Sequence, residues 1–400
     1  MQSKRTRSSA HPRRRAIVAV QVAVLLIVML GFAALTVDVG TLYNVRAELQ
    51  RSADAAALAG ASAYVGDSMM RVRMDPNDSE SLADTLGYAT DRTTRYSEFN
   101  KTLNEVTRIE QGDILTGWLD PSDTDGDILT NPASEACNAV SVTIRRRRHG
   151  GGVNSSVPYF FAPIFGKSEG ASFASAVAVF DDRVSGFELS DGSGGMLPFS
   201  IHDDALDEEL ANRGDQYTYD HDVDGVATTP DGIREIRLYP YPLSGPGNEG
   251  SGNFGILNIG TGNQGLQALR DQITNGVTAD DMEAEVGTSN LTFYDGNGNP
   301  VTYQITGSPG MKSGLAASIE SIEGQIVGFF VHNNVAEQGA NAVYTIVNIR
   351  FGRMMAVKLN GNPNDRYVYV QPITYTGGGV KIDSNAPSSG GLMGKVLLAR

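Results

Sequence analysis

The chain has 400 residues, with 46 acidic and 32 basic side chains and a net charge of −14 at pH 7. This length suits two ordinary domains in addition to a short N-terminal segment. The acidic balance argues against nucleic acid as a partner, and the single cysteine, Cys137, excludes an internal disulfide.

A long apolar run near the N-terminus predicts a transmembrane helix. Residues 16–37 carry no charged side chain and would extend about 33 Å as a helix, against about 30 Å of bilayer hydrocarbon. Residues 1–15 carry six basic and no acidic side chains, which predicts a cytoplasmic basic tail and an exterior body. A cleaved signal peptide is the alternative. We favour an anchor, because signal cores usually span only about 7–15 residues.

The segment after the span, residues 38–66, is rich in strong helix formers and predicts a helical stalk. Its apolar side chains recur at helical spacing and are mostly small, which permits close approach of another helix. Packing on the chain's own exterior domain and packing on a partner subunit are both open. The members of this stripe are Val39, Leu42, Leu49, Ala53, Ala56 and Ala57.

Three features of the N-terminal segment occur together. The junction Val37-Asp38-Val39-Gly40 follows the apolar span, and Leu49-Gln50 and the alanine-rich run from Ala53 to Ala61 follow the junction. In this arrangement residues 31–61 resemble the N-terminal segment of the Tad-type Flp pilus-assembly proteins, the TadE/TadG-like group. Weaker similarity to Tad-like sequences continues at residues 138–143, 159–166, 171–179, 252–255, 259–260, 263, 310 and 314.

The resemblance implies a non-enzymatic structural or assembly subunit of the bacterial cell envelope, with most of the chain periplasmic or extracellular. It implies membrane lipid around residues 16–37, and other Tad/Flp pilus-assembly proteins or pilin, as partners, with no small-molecule substrate. Two features of related proteins are not expected. Arg15 precedes the span where pilin-like precursors carry a processed glycine, and residues 191–195 do not fit a von Willebrand A metal site.

We expect an α+β fold. The transmembrane helix would continue into an amphipathic helix, followed by a small pilin-like α+β domain over residues 67–182 and a β-rich domain, sandwich or barrel-like, over residues 199–377. A linker is predicted at residues 183–198 and a Gly/Ser-rich tail at residues 378–400. Helices are predicted at residues 79–106, 266–275 and 314–323. Strands are predicted at residues 114–119, 139–144, 172–180, 233–241, 254–259, 291–294, 326–331, 342–351, 354–359 and 366–373.

One acidic loop has the spacing of a calcium site. Over residues 220–231, carboxylates stand at positions 1, 3, 5 and 12 of twelve, with Gly225 at the sharp turn, as in an EF-hand loop. Aspartate closes the loop where glutamate is usual, and helical patterns are missing on both sides, so an acidic hairpin without a metal is the alternative. The predicted structural calcium ligands are Asp220, Asp222, Asp224, Val226, Thr228 and Asp231.

Two further clusters of charged and polar residues are weaker candidates for a functional site. The run Arg145–His149 suits an acidic or phosphate partner, but we favour a solvated strand end, because no aromatic residues are interleaved with it. His202 with Asp203 and Asp204 is the tightest acid–imidazole cluster, and no catalytic motif accompanies it. We therefore expect no enzyme. An exported calcium-dependent binding or adhesion module sharing the Tad-like anchor is the alternative function.

Overall fold

The structure is a computed structural model. It describes residues 12–110, 112–123, 126–147, 154–190, 195–212, 214–240, 253–260, 265–310 and 312–399. Residues 1–11 of the predicted basic tail, residues 191–194 of the predicted linker, Arg148 and His149 of the basic run, and positions 252 and 263 of the Tad-like similarity lie outside these ranges.

The chain forms seven helices and nineteen strands within the described ranges. The helices are α1 (Pro12–Ala61), α2 (Asp67–Met74), α3 (Ser79–Phe99), α4 (Asp203–Asn212), α5 (Leu266–Asn275), α6 (Ala279–Val286) and α7 (Ala316–Glu320). The first nine strands are β1 (Lys101–Thr102), β2 (Glu105–Val106), β3 (Ile114–Gly117), β4 (Ala139–Arg146), β5 (Val157–Pro158), β6 (Glu169–Gly170), β7 (Ser172–Asp181), β8 (Val184–Glu188) and β9 (Gly195–His202). The others are β10 (Thr218–Asp220), β11 (Gly225–Ala227), β12 (Ile236–Tyr239), β13 (Asn290–Thr292), β14 (Tyr303–Thr306), β15 (Ile326–Ala336), β16 (Val343–Lys358), β17 (Tyr367–Pro372), β18 (Val380–Ile382) and β19 (Lys395–Leu398).

Helix α1 is one continuous helix of 50 residues that runs through the predicted span and most of the predicted stalk. From residue 18 to residue 37 every side chain is exposed except the partly buried Ala34. After Asp38 the environment changes, and the alanine-rich part of the predicted stripe is buried within the chain itself. The fully buried side chains in this part of α1 are Val45, Leu49, Ser52, Ala53, Ala56, Ala57 and Ala61.

The chain divides into two compact units. Unit 1 consists of residues 1–56, 94–114 and 142–176, and unit 2 consists of residues 57–93, 115–141 and 177–400.

Unit 2 is built on a six-stranded sheet in the order β12-β17-β16-β15-β9, with β14 also pairing with β16. Strands β9 and β15 are parallel, and the other pairs are antiparallel. Side chains alternate along β15 as the pleat requires. Phe329 and Val331 join a core with α4, α5 and α7, whereas Phe330 joins a core with the three-stranded sheet β13-β8-β18. Unit 2 is therefore layered as helices, sheet and second sheet.

The predicted α+β fold with a β-rich C-terminal region is confirmed, and the sheets do not close into a barrel over the residues described. A further sheet has the order β19-β7-β4-β3. Strand β19 pairs antiparallel with β7 from Lys395 opposite Asp181 to Leu398 opposite Ala178.

Unit 1 contains the first part of α1, the end of α3 and two small hairpins, β1–β2 and β5–β6. The buried Ser52 hydroxyl of α1 donates to the carbonyl of Ser97 on α3 at 3.2 Å. Arg146, at the end of β4, is only 1% exposed. It donates to the Glu105 carboxylate and to the carbonyls of Thr102 and Ser155, so this buried cation ties β4 to the β1–β2 hairpin.

Local structure differs from the sequence-based expectations at several places. One strand, β16 over residues 343–358, stands where two were predicted at residues 342–351 and 354–359. Residues 254–259 form only the isolated bridges at Ile256 and Leu257. The ranges predicted as linker and tail contain strands: β8 and the start of β9 in the first, β18 and β19 in the second. Strand β8 forms because Val184 and Phe187 supply apolar side chains that the core buries.

Candidate functional site

The apolar part of α1 is the longest run of exposed hydrophobic side chains among the described residues. In the segment from Val18 to Val37, Leu25 is 66% exposed and Ile27 is 68% exposed. Within the described residues, α1 is the one helix long and apolar enough to cross a membrane. A soluble protein rarely exposes a continuous apolar surface of this length, so bilayer lipid is the natural solvent for it.

Asp38 ends this exposed stretch and is itself buried. Its carboxylate accepts hydrogen bonds from the backbone N–H groups of three successive residues: Phe160 at 2.7 Å, Phe161 at 3.1 Å and Ala162 at 2.7 Å. A carboxylate that accepts several N–H groups is well satisfied without a counter-ion. Asp38 belongs to the Tad-like junction, but nothing in the sequence indicates its partners, which lie more than 120 residues away.

The residues held by Asp38 form the tip of the β5–β6 hairpin. Val157 pairs with Gly170 and Pro158 with Glu169, and a short 3₁₀ turn at Ala162–Phe165 closes the tip. Gly166 ends the turn with φ of 78°, a left-handed conformation that glycine adopts without a steric penalty. This hairpin tip, residues 159–167, was predicted only as a stretch of Tad-like similarity.

The predicted calcium ligands lie on and after the β10–β11 hairpin, rather than between two helices. Asp220 ends β10, and its carboxylate accepts the backbone N–H of Asp222 at 2.8 Å. The Tyr219 hydroxyl donates to the carboxylate of Asp224, whose φ is 52°. Val226 is in β11, and the exposed Thr228 follows it. The hairpin brings the first three aspartates into one short turn.

Asp231, the last predicted ligand, has other partners in this structure. Its carboxylate oxygens accept from the Gln371 side-chain amide at 3.0 Å each, and Oδ1 also accepts the Ile233 N–H at 2.9 Å. Burial raises its pKa above the ordinary value. Asp231 is therefore engaged with Gln371 and Ile233 in this structure, and the calcium site stays a prediction.

His202, Asp203 and Asp204 do come together, at the end of β9 and the start of α4. The Nδ1 atom of His202 lies 3.0 Å from Oδ1 of Asp203 and 4.0 Å from Oδ2 of Asp204. Within the described residues, these three side chains form a group that could hold a metal ion, because their potential ligand atoms all lie within 4.8 Å of one another. Both aspartates are solvent-accessible.

A second histidine contact was not predicted from the sequence. The Ser200 hydroxyl and Nδ1 of His332 lie 2.6 Å apart, on the adjacent parallel strands β9 and β15. Both residues are fully buried, so a substrate has no path to this serine. The pair is a polar contact within the core. Sequence reasoning could not find it, because the two residues are 132 positions apart.

The basic run at the end of β4 is largely engaged inside unit 1. Arg145 pairs with Asp113 at 3.0 Å, Arg146 is buried, and Arg147 pairs with Glu110. Arg146 is therefore neither in an open docking patch nor at a solvated strand end, whereas Arg145 and Arg147 are 40% and 49% exposed and are paired at a partly solvated strand end. Their local acidic partners neutralise them.

Unit 2 contains a cavity of about 590 Å³ with apolar walls and three arginines. Arg234 donates to the carbonyls of Met74 and Leu210, and Arg73 donates to the carbonyls of Tyr64 and Gly391. The third is Arg350, which donates to the carbonyl of the residue before it. Each of the three guanidinium groups thus donates to at least one backbone carbonyl.

Taken together, the exposed apolar helix and its buried junction define a chain with one candidate membrane anchor and a folded body. Residues 18–63 match the family model Tad, described as "Putative Flp pilus-assembly TadE/G-like". The predicted resemblance of the N-terminal segment to this family is confirmed, and the match supports a pilus-assembly-related envelope protein. No curated protein and no solved structure matches the chain.

Proposed function

We propose that this chain is a single-pass membrane protein that works without catalysis as a structural or assembly subunit of a Tad/Flp pilus apparatus. The family match over residues 18–63 carries the proposal, because the matched segment includes the exposed apolar half of α1. The basic residues at positions 1–15 support a cytoplasmic N-terminus, which leaves the folded body outside the membrane. Its partners would be bilayer lipid and other pilus-assembly proteins or pilin.

Protease accessibility on spheroplasts tests the anchored topology. The chain carries a different tag at each end, and the membrane pellet is washed with carbonate. We expect a full-length, carbonate-resistant species whose C-terminal tag alone is digested. A shortened soluble product lacking the N-terminal tag would show that residues 16–37 are a cleaved signal, and the anchored subunit would be excluded.

Surface pilin tests the assembly role separately. Deletion of the gene should abolish surface pilin, and the full chain supplied in trans should restore it. Unchanged surface pilin in the deletion strain would contradict the assembly role even if the topology is as proposed.

The second candidate is a calcium-dependent binding or adhesion module, which the ligand spacing at residues 220–231 favours. In that case calcium should raise the melting temperature of the full chain relative to chelator, and Asp220→Ala should remove the shift. Asp84→Ala, at an exposed position of α3, is the matched control and should keep it. Equal melting temperatures in calcium and chelator would exclude the site.

A further inference from the structure

The hairpin tip, residues 159–167, exposes a concentrated set of large apolar side chains. Phe160 is 69% exposed, Ile164 is 79% exposed and Phe165 is 78% exposed. Single exposed apolar residues are ordinary, but three within six positions at the tip of a hairpin form a patch. Such patches indicate contact with a membrane or another protein.

The position of the tip distinguishes between these two partners. Asp38 is the first residue after the exposed apolar stretch of α1, and it holds the backbone of Phe160 and Ala162 at 2.7 Å. From Val18 to Asp38 the helix rises about 30 Å, the thickness of the bilayer hydrocarbon. With α1 in a membrane, the tip therefore lies at the surface of the leaflet from which α1 emerges at Asp38.

The tip also meets the main requirement of a segment that enters lipid, which is that its backbone polar groups are paired. The N–H groups of residues 160–162 donate to Asp38. Those of Ile164, Gly166 and Lys167 donate to carbonyls within the tip, and Pro163 has no N–H group. Most backbone N–H groups of the tip would therefore keep their hydrogen bonds when the tip leaves water and enters lipid.

Residues that suit the headgroup region lie beside the apolar ones. Tyr43 is 71% exposed about one and a half turns of α1 beyond Asp38, and the exposed Lys167 is the last residue of the tip. Tyrosine and lysine are common at this depth, because each combines an apolar body with a polar end. The lysine also adds a positive charge where lipid phosphates lie.

We propose that the hairpin tip is a second membrane contact, which inserts Phe160, Ile164 and Phe165 into the interface of the leaflet from which α1 emerges. This inference rests on the proposed anchor. It gives the chain two attachments to one bilayer, joined by the Asp38 carboxylate, so that α1 and the hairpin tip keep one orientation relative to the membrane surface.

Fluorescence quenching by brominated lipids tests the proposal in the full chain reconstituted into vesicles of phosphatidylethanolamine and phosphatidylglycerol. Trp118, the one tryptophan of the chain, is replaced by Phe. Single tryptophans are then introduced by Phe165→Trp in the tip, by Val28→Trp in the span and by Val223→Trp in the exposed β10–β11 turn. We expect Phe165→Trp to show blue-shifted emission that bromines near the headgroups quench most strongly.

The two reference positions separate failure of this inference from failure of the anchor. Val28→Trp should be quenched most strongly by bromines deep in the acyl chains, and Val223→Trp should not be quenched. Quenching at Val28→Trp with none at Phe165→Trp would overturn the tip contact and leave the anchor standing. Absence of quenching at both positions would overturn the anchor and the inference together.

Asp38→Asn tests the link between the two attachments. The carboxylate of Asp38 has two oxygens that accept the N–H groups of the tip, whereas the amide of asparagine has only one acceptor oxygen. The variant should therefore hold the tip less firmly. We expect quenching at Phe165→Trp to weaken while quenching at Val28→Trp is unchanged. Unchanged quenching at both positions would show that Asp38 does not position the tip.

Discussion

Glu235 is a buried carboxyl group whose protonation is coupled to folding. It accepts the backbone N–H groups of Gln216 at 3.0 Å and of Tyr217 at 2.9 Å. Burial, with a smaller contribution from the nearby Asp215 carboxylate, raises its pKa from 4.5 to about 7 against the lowering effect of these two donors. The folded protein therefore holds a proton here at a pH where the unfolded chain has lost it.

Because the pKa of this carboxyl group is raised in the folded state, we expect the free energy of unfolding to fall as the pH rises. Between about pH 4.5 and pH 7 the folded state binds more protons than the unfolded state, so the free energy of unfolding falls with pH. The loss is on the order of 3 kcal/mol, since one pKa unit corresponds to about 1.4 kcal/mol. Denaturant titrations of the wild type and of Glu235→Gln across this window measure it.

The glutamine variant is the informative control for Glu235. It keeps an acceptor oxygen but cannot ionise, so its unfolding free energy should lack this component of the pH dependence. A variant whose pH profile matches that of the wild type would assign the effect to another group.

Charged residues with distant partners limited what the sequence could predict at the residue scale. Asp38 stands out as the first charge after the apolar span, but its carboxylate meets residues 160–162 only after the chain has folded. Arg146 lies in a basic run that resembles a solvated strand end, yet it is buried against Glu105. Spacing along a chain reports neighbours on one element and carries no information about such contacts.

Two helices approach closely at Gly60, near the end of α1. A Cβ atom at this position would lie 2.1 Å from Oγ1 of Thr93 and 3.2 Å from the carbonyl oxygen of Ala89, both on α3. The Thr93 hydroxyl already donates to that carbonyl at 2.7 Å. Glycine is therefore required here by packing, because any side chain would separate the helices or break this hydrogen bond.

Gly60→Ala should lower the free energy of unfolding by about 1 to 3 kcal/mol, the usual cost of overpacking. Gly87→Ala is a matched control, because Gly87 is exposed on α3 with open space around its Cβ position. There the better helix propensity of alanine should raise stability by about 0.5 to 1 kcal/mol. Denaturant titrations should give opposite signs, and equal signs would contradict the close approach.

Several elements with a regular pattern were predicted well, but the helix predicted at residues 79–106 ends at Phe99, and residues 101–106 contain β1 and β2. Helix α5 has the predicted bounds, and β4 and β7 differ from prediction by two residues or fewer at each end. Gly352 and Arg353 suggested a break, but β16 runs through them because Gly352 lets the backbone of Gln371 approach closely. Helix α4 was missed although Asp203 and Asp204 in its first turn are typical of a helix start, because these residues were considered only as a cluster with His202.

At the scale of the whole molecule, Arg73 joins distant parts of unit 2. From α2 its guanidinium donates to the carbonyl of Tyr64, the hydroxyl of Thr374 and the carbonyl of Gly391. Gly391, with φ of 76°, passes so close to Arg73 that a Cβ atom would lie 2.3 Å from Nε. The range predicted as a tail is therefore bonded to a helix near the other end of unit 2.

Arg73→Met should lower the free energy of unfolding by about 2 to 4 kcal/mol, because three acceptors lose a charged donor. Arg92→Met removes an exposed arginine that donates to the carbonyl and hydroxyl of Ser62, and should change stability by about 0.5 kcal/mol or less. Hydrogen exchange of residues 374–399 should accelerate in the first variant and not in the second. Equal exchange in both variants would show that Arg73 does not hold this segment.

The long sequence separation between Arg73 and Gly391 bears on the order in which the chain can fold during export. In the proposed topology the chain crosses the membrane with Arg73 leading and Gly391 following 318 residues later. The pairing of β7 with β19 cannot form until this last strand has emerged. In that topology, this edge of β7 would stay unpaired, close to a bilayer to which α1 tethers the chain, until translocation ends.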